Sequence, residues 1–375
     1  MRNVDALKPI TIDSVELRRI ALPLVSPFRT SFGTETARDI LLVRVISSEA
    51  EGWGECVAGN EPLYSSEYVE GAQHVLAHHL IPRLQHRTIH SPDVASILSP
   101  VKDHRMAKGA LEAGVLDAQL RANGQSMAEY FGAVRTTVPS GVSVGIAESI
   151  DALVTTVGKY LDDGYVRIKL KIEPGWDLEP VQAIRRTFGP DVPLQVDANA
   201  AYTRADGPLL AQLDAFDLLL IEQPLPEDDI TGHALIARQV RTPICLDESI
   251  VSVDAAIDAI ERKACSIINI KAGRVGGYLE AVRIHDLCRD RGIPVWCGGM
   301  LETGIGRAMN LALAALPNFT VTGDVSASER FWHRDIVTNP VRLDNGHVTV
   351  PSGPGSGVEL DWDFLDSVTT STQVL

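Results

Sequence analysis

Five charged residues recur along the second half of the chain with unusual regularity: Lys171, Asp197, Glu222, Asp247 and Lys271, separated by 26, 25, 25 and 24 positions. Each closes a short apolar run, as in "LQVDANAAY", "LLLIEQPLP", "PICLDESIV" and "IINIKAGRV". A single Asp at a strand-to-helix turn is readily a helix N-cap, but Glu and Lys cap poorly, so capping does not explain all five. Three carboxylates that converge from adjacent strands repel one another unless a cation neutralises them. An all-oxygen ligand set of Asp197, Glu222 and Asp247 favours a hard ion, Mg²⁺ with Mn²⁺ as its substitute, over zinc. A lysine at each end of the series then supplies two amines. Each must shed its proton to act as a base, and a nearby cation and second ammonium bring an amine down from about 10.4 toward neutrality. A metal beside two opposed amines is suited to removing a proton next to a carboxylate, the metal stabilising the enediolate.

The first of these lysines lies in "YVRIKLKIEP", whose alternation places Arg167, Lys169 and Lys171 on one face and Val166, Ile168, Leu170 and Ile172 on the other. Taken alone, the stretch reads as an amphipathic strand with its lysines in water. Its context says otherwise. From residue 139 short apolar runs alternate with helix-length amphipathic segments, and eight such runs are present: "SGVSVGI", "VRIKLKI", "VPLQVDA", "DLLLIEQ", "PICLDES", "SIINIKA", "IPVWCGG" and "FTVTGD". Eight strand-helix units predict a TIM-type α/β barrel with its chemistry at the C-terminal strand ends. A doubly wound sheet is the alternative, but no glycine-rich phosphate fingerprint follows the first strand. In an eight-stranded barrel strands two and six face each other, so Lys171 and Lys271 flank one substrate from opposite sides. Lys169, one layer deeper on the same face, supplies the like charge.

The preceding residues mix strand alternation ("SVELRRIAL", "ILLVRVISS") with helical periodicity ("SEYVEGAQHVLAHHLIPRL", "MAKGALEAGVLDAQLRANG"), as in an α+β domain. The expected division is residues 1–135 for this domain, 136–335 for the barrel and 336–375 for a segment that returns to the first domain. Between the first two strands, "PLVSPFRTSFGTETA" reads as an irregular loop of lid-like length, residues 24–35, carrying Phe28, Ser31 and Phe32 toward substrate.

Composition narrows the partners. The 375 residues are 45% hydrophobic and carry 34 Lys plus Arg against 49 Asp plus Glu, a net charge of −15 that repels nucleic acid and anionic membrane. A small-molecule carboxylate is the expected substrate class. The five cysteines form no CxxC pair, and the N-terminus lacks an apolar core of signal-peptide length. A cytoplasmic protein with reduced cysteines is expected, assembled as a homo-oligomer.

These motifs resemble the enolase superfamily, muconate-lactonizing-enzyme subgroup, over nearly the whole chain: a KxK on the second strand, Asp, Glu and Asp on the next three, a lysine on the sixth. Lysine bases with Mg²⁺ are that superfamily's known pattern, so the mechanism is shared with it rather than derived anew. Within the subgroup, "VRIKLKIEPGWD", "IEQPL", "PVWCGGMLETGIGRA" and "GDVSASERFWHRD" look like the family holding o-succinylbenzoate synthase and N-succinylamino acid (N-acylamino acid) racemase. The resemblance implies Mg²⁺ ligands at Asp197, Glu222 and Asp247, acid/base catalysts at Lys171 and Lys271, and a first domain that caps the barrel and contributes specificity. "IPVWCGGM" carries no histidine on the seventh strand, which disfavours mandelate-racemase-like members and sugar-acid dehydratases. Dipeptide epimerases share the two lysines but place a DxD pair on the eighth strand, where "TGDVSAS" offers Asp324 alone. Muconate-type cycloisomerisation is a further alternative. Outside the family, a Schiff-base aldolase leaves three carboxylates unexplained, and a non-catalytic barrel could keep metal for stability alone.

Around the core set, Glu248 adjoins Asp247, and Asn199 and Asn269 share the faces of Asp197 and Lys271 two residues away. Arg274, three residues after Lys271, could raise the potential near that base. Gly298, Gly299 and Met300 end strand seven before a helix whose N-terminus is expected to favour a substrate carboxylate. Asp324 completes the expected substrate contacts.

Overall fold

The computed structural model describes residues 7–375. Seven parallel strands curl in sequence order: Gly141–Val144, Arg167–Lys171, Leu194–Asp197, Ile221–Glu222, Ile244–Leu246, Ile267–Ile270 and Val295–Cys297, here barrel strands one to seven. Helices such as Ile150–Asp162, Val253–Glu261 and Tyr278–Arg291 cover the outside. Strands covered on one face and filled on the other are buried throughout, which is why all five residues of strand two are buried despite three charges.

The eighth run differs from expectation. Residues 319–324 form no ladder; they close the barrel through the isolated bridges Val295↔Phe319 and Ser140↔Gly323. Backbone bonds from Gly141 N to Gly323 O and from Asp324 N to Cys297 O, each 2.9 Å, tie this segment to strands one and seven. Gly323 is what permits the approach, since a Cβ there would lie 2.6 Å from Cys297 O.

The capping domain is a four-stranded sheet with a long helix. Strands Ser14–Thr30, Gly33–Ile46 and Glu51–Cys56 run antiparallel, and Thr369–Val374 pairs along the first of them, so the return to this domain is made by the last residues of the chain. His347–Thr349 instead pairs with Thr137–Pro139 at the barrel entrance. Helix Arg105–Ala122 lies under the sheet, and Gly52 and Gly54 allow the contact because a Cβ on either would overlap the helix backbone.

The lid-like loop is a second correction. Residues 24–35 mostly continue the two long strands, whose final pair, Thr30↔Gly33, leaves only Ser31 and Phe32 as the turn. Pro23 and Pro27 cannot donate to a ladder, and the register shifts between Pro23 and Phe28. There the chain pairs with the barrel instead: Leu24 bridges Trp332, and Val25 N donates to Phe331 O at 3.0 Å. Beyond Pro27 the alternation of "FRTSFGTET" restores the hairpin.

Acids from the capping domain fasten it to barrel helices. Glu55 accepts from Thr303 N (2.9 Å), Thr303 Oγ1 (2.6 Å) and Gly306 N (3.1 Å) at the start of helix Gly304–Ala314. Glu112 accepts from Tyr278 N (2.7 Å) and Leu279 N (3.0 Å) at the start of helix Tyr278–Arg291. Orphan helix N–H groups are thus satisfied across the domain boundary. All five cysteines are buried and unbridged, and among the described residues no helix is long and apolar enough to cross a membrane.

Candidate active site

The parallel register carries the charges to one end of the barrel. Lys171 pairs in register with Asp197, and Asp197 with Glu222, while Asp247 and Lys271 stand one residue past strands five and six. The lysines therefore rise from strands two and six with the three acid-bearing strands between them. All five side chains are at least nine-tenths buried.

Buried charges must be paired, and here they pair with one another. The Lys171 ammonium donates to Asp197 Oδ2 and Asn199 Oδ1, both at 2.6 Å. Lys169 reaches Asp197 Oδ2 and Glu222 Oε2 at 3.1 Å and Asp324 Oδ2 at 2.7 Å. Lys271 donates to Asp247 Oδ2 at 2.7 Å, while Arg274 lies 2.8 Å from Asp247 Oδ1. Arg167 completes the layer on Asp324 Oδ1 at 2.7 Å. The alternation of "VRIKLK" thus turns inward: none of Arg167, Lys169 and Lys171 is more than 7% exposed.

The field at each group follows. Burial pulls the Lys271 ammonium down, but Asp247, Tyr64, Glu248 and Glu222 outweigh it and hold the amine well above its ordinary range. Asp247 and Asp197 are pushed up by burial, yet each is carried below the usual carboxylate range, the first by Lys271 and Arg274, the second by Lys171 and Lys169. Glu222 goes the other way, raised well above its ordinary value by burial and by Asp197, with Asp247 adding to the repulsion. Burial followed by Asp247 and Asp197 raises Glu248 to about 7.

These directions test the expected ion. Among the described residues no three His, Cys, Asp or Glu side chains close into a preformed cage, because the lysine ammonium groups hold the carboxylate oxygens. The donor chemistry nonetheless fits a hard divalent cation: three buried carboxylates on adjacent strands, with Glu222 raised by both of the others.

The flanking residues are equally placed. Asn269 Nδ2 donates to Glu222 Oε1 at 2.7 Å, and Asn199 Nδ2 to Glu248 Oε1 at 2.9 Å. A Cβ on Gly298 would lie 2.4 Å from Asn269 Oδ1 and 2.8 Å from Lys271 Cε, so a larger residue there would displace those side chains. Gly299, Met300 and Asp324 line a cavity of about 320 Å³ together with Lys169, Lys171, Lys271 and Asn199. Phe28 and Phe32 line its opposite wall, and Ser31 Oγ donates to Asn199 O at 3.2 Å. One expectation fails: the N–H groups at the start of helix Gly304–Ala314 are taken by Glu55 and, at Gly304, by Asp335, so that N-terminus offers no anion site.

Sequence reasoning misses two residues. Tyr64 hangs from the capping domain over Lys271, accepting from its ammonium at 3.1 Å, and its ring packs 5.7 Å from that of Phe32. It stands in "NEPLYSSEY", where no periodicity marks it. Gln223 follows Glu222 with φ of 38° and accepts from Asp247 N (3.0 Å) and Ser249 N (3.3 Å), tying the end of strand four to that of strand five. Its position in "IEQPL" was the available signal.

A family model described as Enolase C-terminal domain-like matches residues 152–364. The chain is 62% identical over 361 residues to an N-succinylamino acid racemase of Amycolatopsis sp, covering 96% of this chain and 98% of that protein. It is 46% identical over 354 residues to an o-succinylbenzoate synthase of Geobacillus kaustophilus, covering 94% of each. A crystal structure of an enolase superfamily member from Listeria innocua superposes with a TM-score of 0.94 at 40% identity, over 98% of this chain and 99% of that one. Membership of this superfamily carries with it a divalent metal. The chain is an enzyme of the enolase superfamily, in the family of the N-succinylamino acid racemases and o-succinylbenzoate synthases.

Proposed function

We propose that this enzyme uses Mg²⁺ to remove the α-proton of an N-succinylamino or other N-acylamino acid and to return it on either face, which racemises the substrate. Dehydration of the cyclohexadiene precursor of o-succinylbenzoate begins with the same proton abstraction and is the second reaction the site suits. The observation that carries this reading is the pair of lysines, Lys171 and Lys271, which rise from strands two and six of one sheet into one cavity. Both relatives' names agree with it.

Asp197, Glu222 and Asp247 are the residues that would hold the ion, with Mn²⁺ as a substitute. When bound, the ion supplies positive charge to the substrate carboxylate as the α-proton leaves. Lys171, steadied by Asp197 and Asn199, and Lys271, steadied by Asp247 and Tyr64, each take or return a proton on their own face of the α-carbon. Lys169 and Asn269 hold the acids in place around them, and Glu248 accepts from Asn199, which in turn accepts from Lys171. Phe28, Phe32 and Tyr64 close the cavity from the capping side and exclude water.

A dipeptide epimerase needs a carboxylate free to hold the substrate ammonium. Both oxygens of Asp324 are engaged, by Arg167 and Lys169, which argues against that reading. A Schiff-base aldolase needs one lysine and leaves the three buried carboxylates on adjacent strands, Asp197, Glu222 and Asp247, without a role. The buried, unbridged cysteines support a cytoplasmic setting. The test is proton NMR in deuterated water with each enantiomer of an N-succinylamino acid: loss of the α-hydrogen signal from both enantiomers supports the reading, and no exchange from either overturns it.

A further inference from the structure

Three carboxylates that repel one another need strand ends that do not yield, and one residue binds all three ends together. Gln223 is 0% exposed and follows Glu222 directly. Its backbone N donates to Cys245 O at 2.9 Å, and its carbonyl accepts from Ala200 N at 2.8 Å, three residues past Asp197. Its side-chain Oε1 accepts from Asp247 N and Ser249 N, while Nε2 donates to Leu225 O at 3.0 Å and to Ser249 Oγ at 2.8 Å. The ends of strands three, four and five, which carry Asp197, Glu222 and Asp247, thus meet on Gln223. The backbone there is bent to allow it: Asn199, Ala200 and Gln223 have φ of 40°, 61° and 38°. Residues other than glycine keep such angles only where their surroundings hold them.

His233 settles which way the amide faces. It stands on helix Ile230–Ile236 and is likewise 0% exposed. Leu225 N donates to its Nε2 at 3.2 Å, and its Nδ1 lies 2.9 Å from Asp229 O. An N–H against Nε2 and a carbonyl against Nδ1 leave one arrangement, with the proton on Nδ1 and Nε2 as acceptor. Gln223 Nε2 lies 3.5 Å from that acceptor. Burial pulls the imidazole down to about 4, against the pull of Asp229, so the ring stays neutral and keeps its lone pair. A turned amide would set its oxygen against that lone pair and Leu225 O, and its N–H groups against those of Asp247 and Ser249.

We infer that Gln223 is a positioning residue for the metal, fixing the spacing of Asp197, Glu222 and Asp247, and that His233 acts through it by fixing its amide. This rests on the metal site of the proposed function and deepens it. Neither residue lines the cavity, so neither meets substrate. Their effect is on metal affinity, because a hard cation binds well only where its oxygens are already spaced for it.

The test is the calorimetric Kd of Mn²⁺ on chelator-stripped wild type, Gln223→Met, His233→Phe and His233→Gln, with the melting temperature of each metal-free protein taken alongside. Gln223→Met keeps the length of the side chain and loses its hydrogen bonds, so Mn²⁺ binding should weaken about ten- to a hundredfold, while KM for substrate at saturating Mn²⁺ moves less than about threefold. His233→Phe should weaken Mn²⁺ binding about three- to tenfold. His233→Gln, whose side-chain oxygen reaches the place of Nε2 and still accepts, should restore most of that loss. An unchanged Mn²⁺ Kd in Gln223→Met, whatever its melting temperature, overturns the inference, and so do equal losses in the two His233 variants. Should Gln223→Met not fold, the two His233 variants decide. A wild type that binds no Mn²⁺, or an Asp197→Asn variant that binds it as tightly as wild type, overturns the proposed metal site instead.

Discussion

The two walls of the cavity are built on different principles. On the barrel side Lys169, Lys171, Asp197, Glu222, Asp247 and Lys271 sit on or one residue past parallel strands, at least nine-tenths buried and held by several partners, as Lys169 is by Asp197, Glu222 and Asp324. On the capping side Phe28, Ser31, Phe32 and Tyr64 come from one hairpin and one loop; Phe28 reaches the barrel through the ring of Phe331, Ser31 and Tyr64 through hydrogen bonds to Asn199 O and Lys271, and Phe32 packs on Tyr64. The first wall is suited to holding reacting atoms, because moving one member disturbs all the rest. The second is suited to setting which substrate enters, because its members are separable. Damage to the barrel wall should therefore cost rate on every substrate, and damage to the capping wall should re-rank substrates.

The largest expected effect is metal removal. Exhaustive chelation should lower kcat by about a thousandfold or more, and Mg²⁺ or Mn²⁺ should restore it; full activity in metal-free enzyme would show that the three acids serve another purpose. Next is Gly298→Ala, which places a methyl group against the Asn269 amide that holds Glu222 and against Lys271 Cε. It should cost up to about a hundredfold in kcat on all substrates alike, with melting temperature little changed. Phe32→Ala, on the capping wall, should do the reverse: kcat on the best substrate moves little, while relative kcat/KM among acyl groups shifts by about three- to tenfold. An unchanged ranking would remove the distinction between the walls.

The smallest effect concerns the joint between the two regions. Burial raises the Glu55 carboxyl from its ordinary 4.5 to about 7, with Thr303 opposing and Glu302 reinforcing the shift. A carboxyl whose folded pKa lies above its unfolded one favours folding fully below about 4.5, and that contribution is lost as pH rises through about 7. Glu55→Gln cannot ionise, so its melting temperature should decline less steeply between those pH values than that of wild type. Glu112, raised to about 7 by burial as well, should keep the remaining slope.

What was legible in the sequence follows the same division. The spacing of Lys171, Asp197, Glu222, Asp247 and Lys271 is the period of a strand-helix unit, so fold and charge reinforce one another in one signal. Asn199 and Asn269 were visible because a strand repeats its face every second residue. Tyr64 had no such frame, since a loop residue's distance from Lys271 depends on how two domains pack. The hairpin at 24–35 was misread because two prolines look like the end of a strand, whereas here they mark a bulge where the strand turns to the barrel. The helix after strand seven looked like an anion site because the Glu55 that occupies it lies 248 residues earlier in the chain.

The central claim is that Lys171 and Lys271 serve opposite faces of one α-carbon. In deuterated water, Lys171→Ala and Lys271→Ala should each lose racemisation, with a fall of about a hundred- to ten-thousandfold, and yet retain slow α-hydrogen exchange on opposite enantiomers of an N-succinylamino acid. Because its neighbours hold Lys271 well above the ordinary amine range, exchange by the surviving amine in Lys171→Ala should quicken as pH rises. Exchange of the same enantiomer by both variants, or undiminished racemisation by either, would contradict the account.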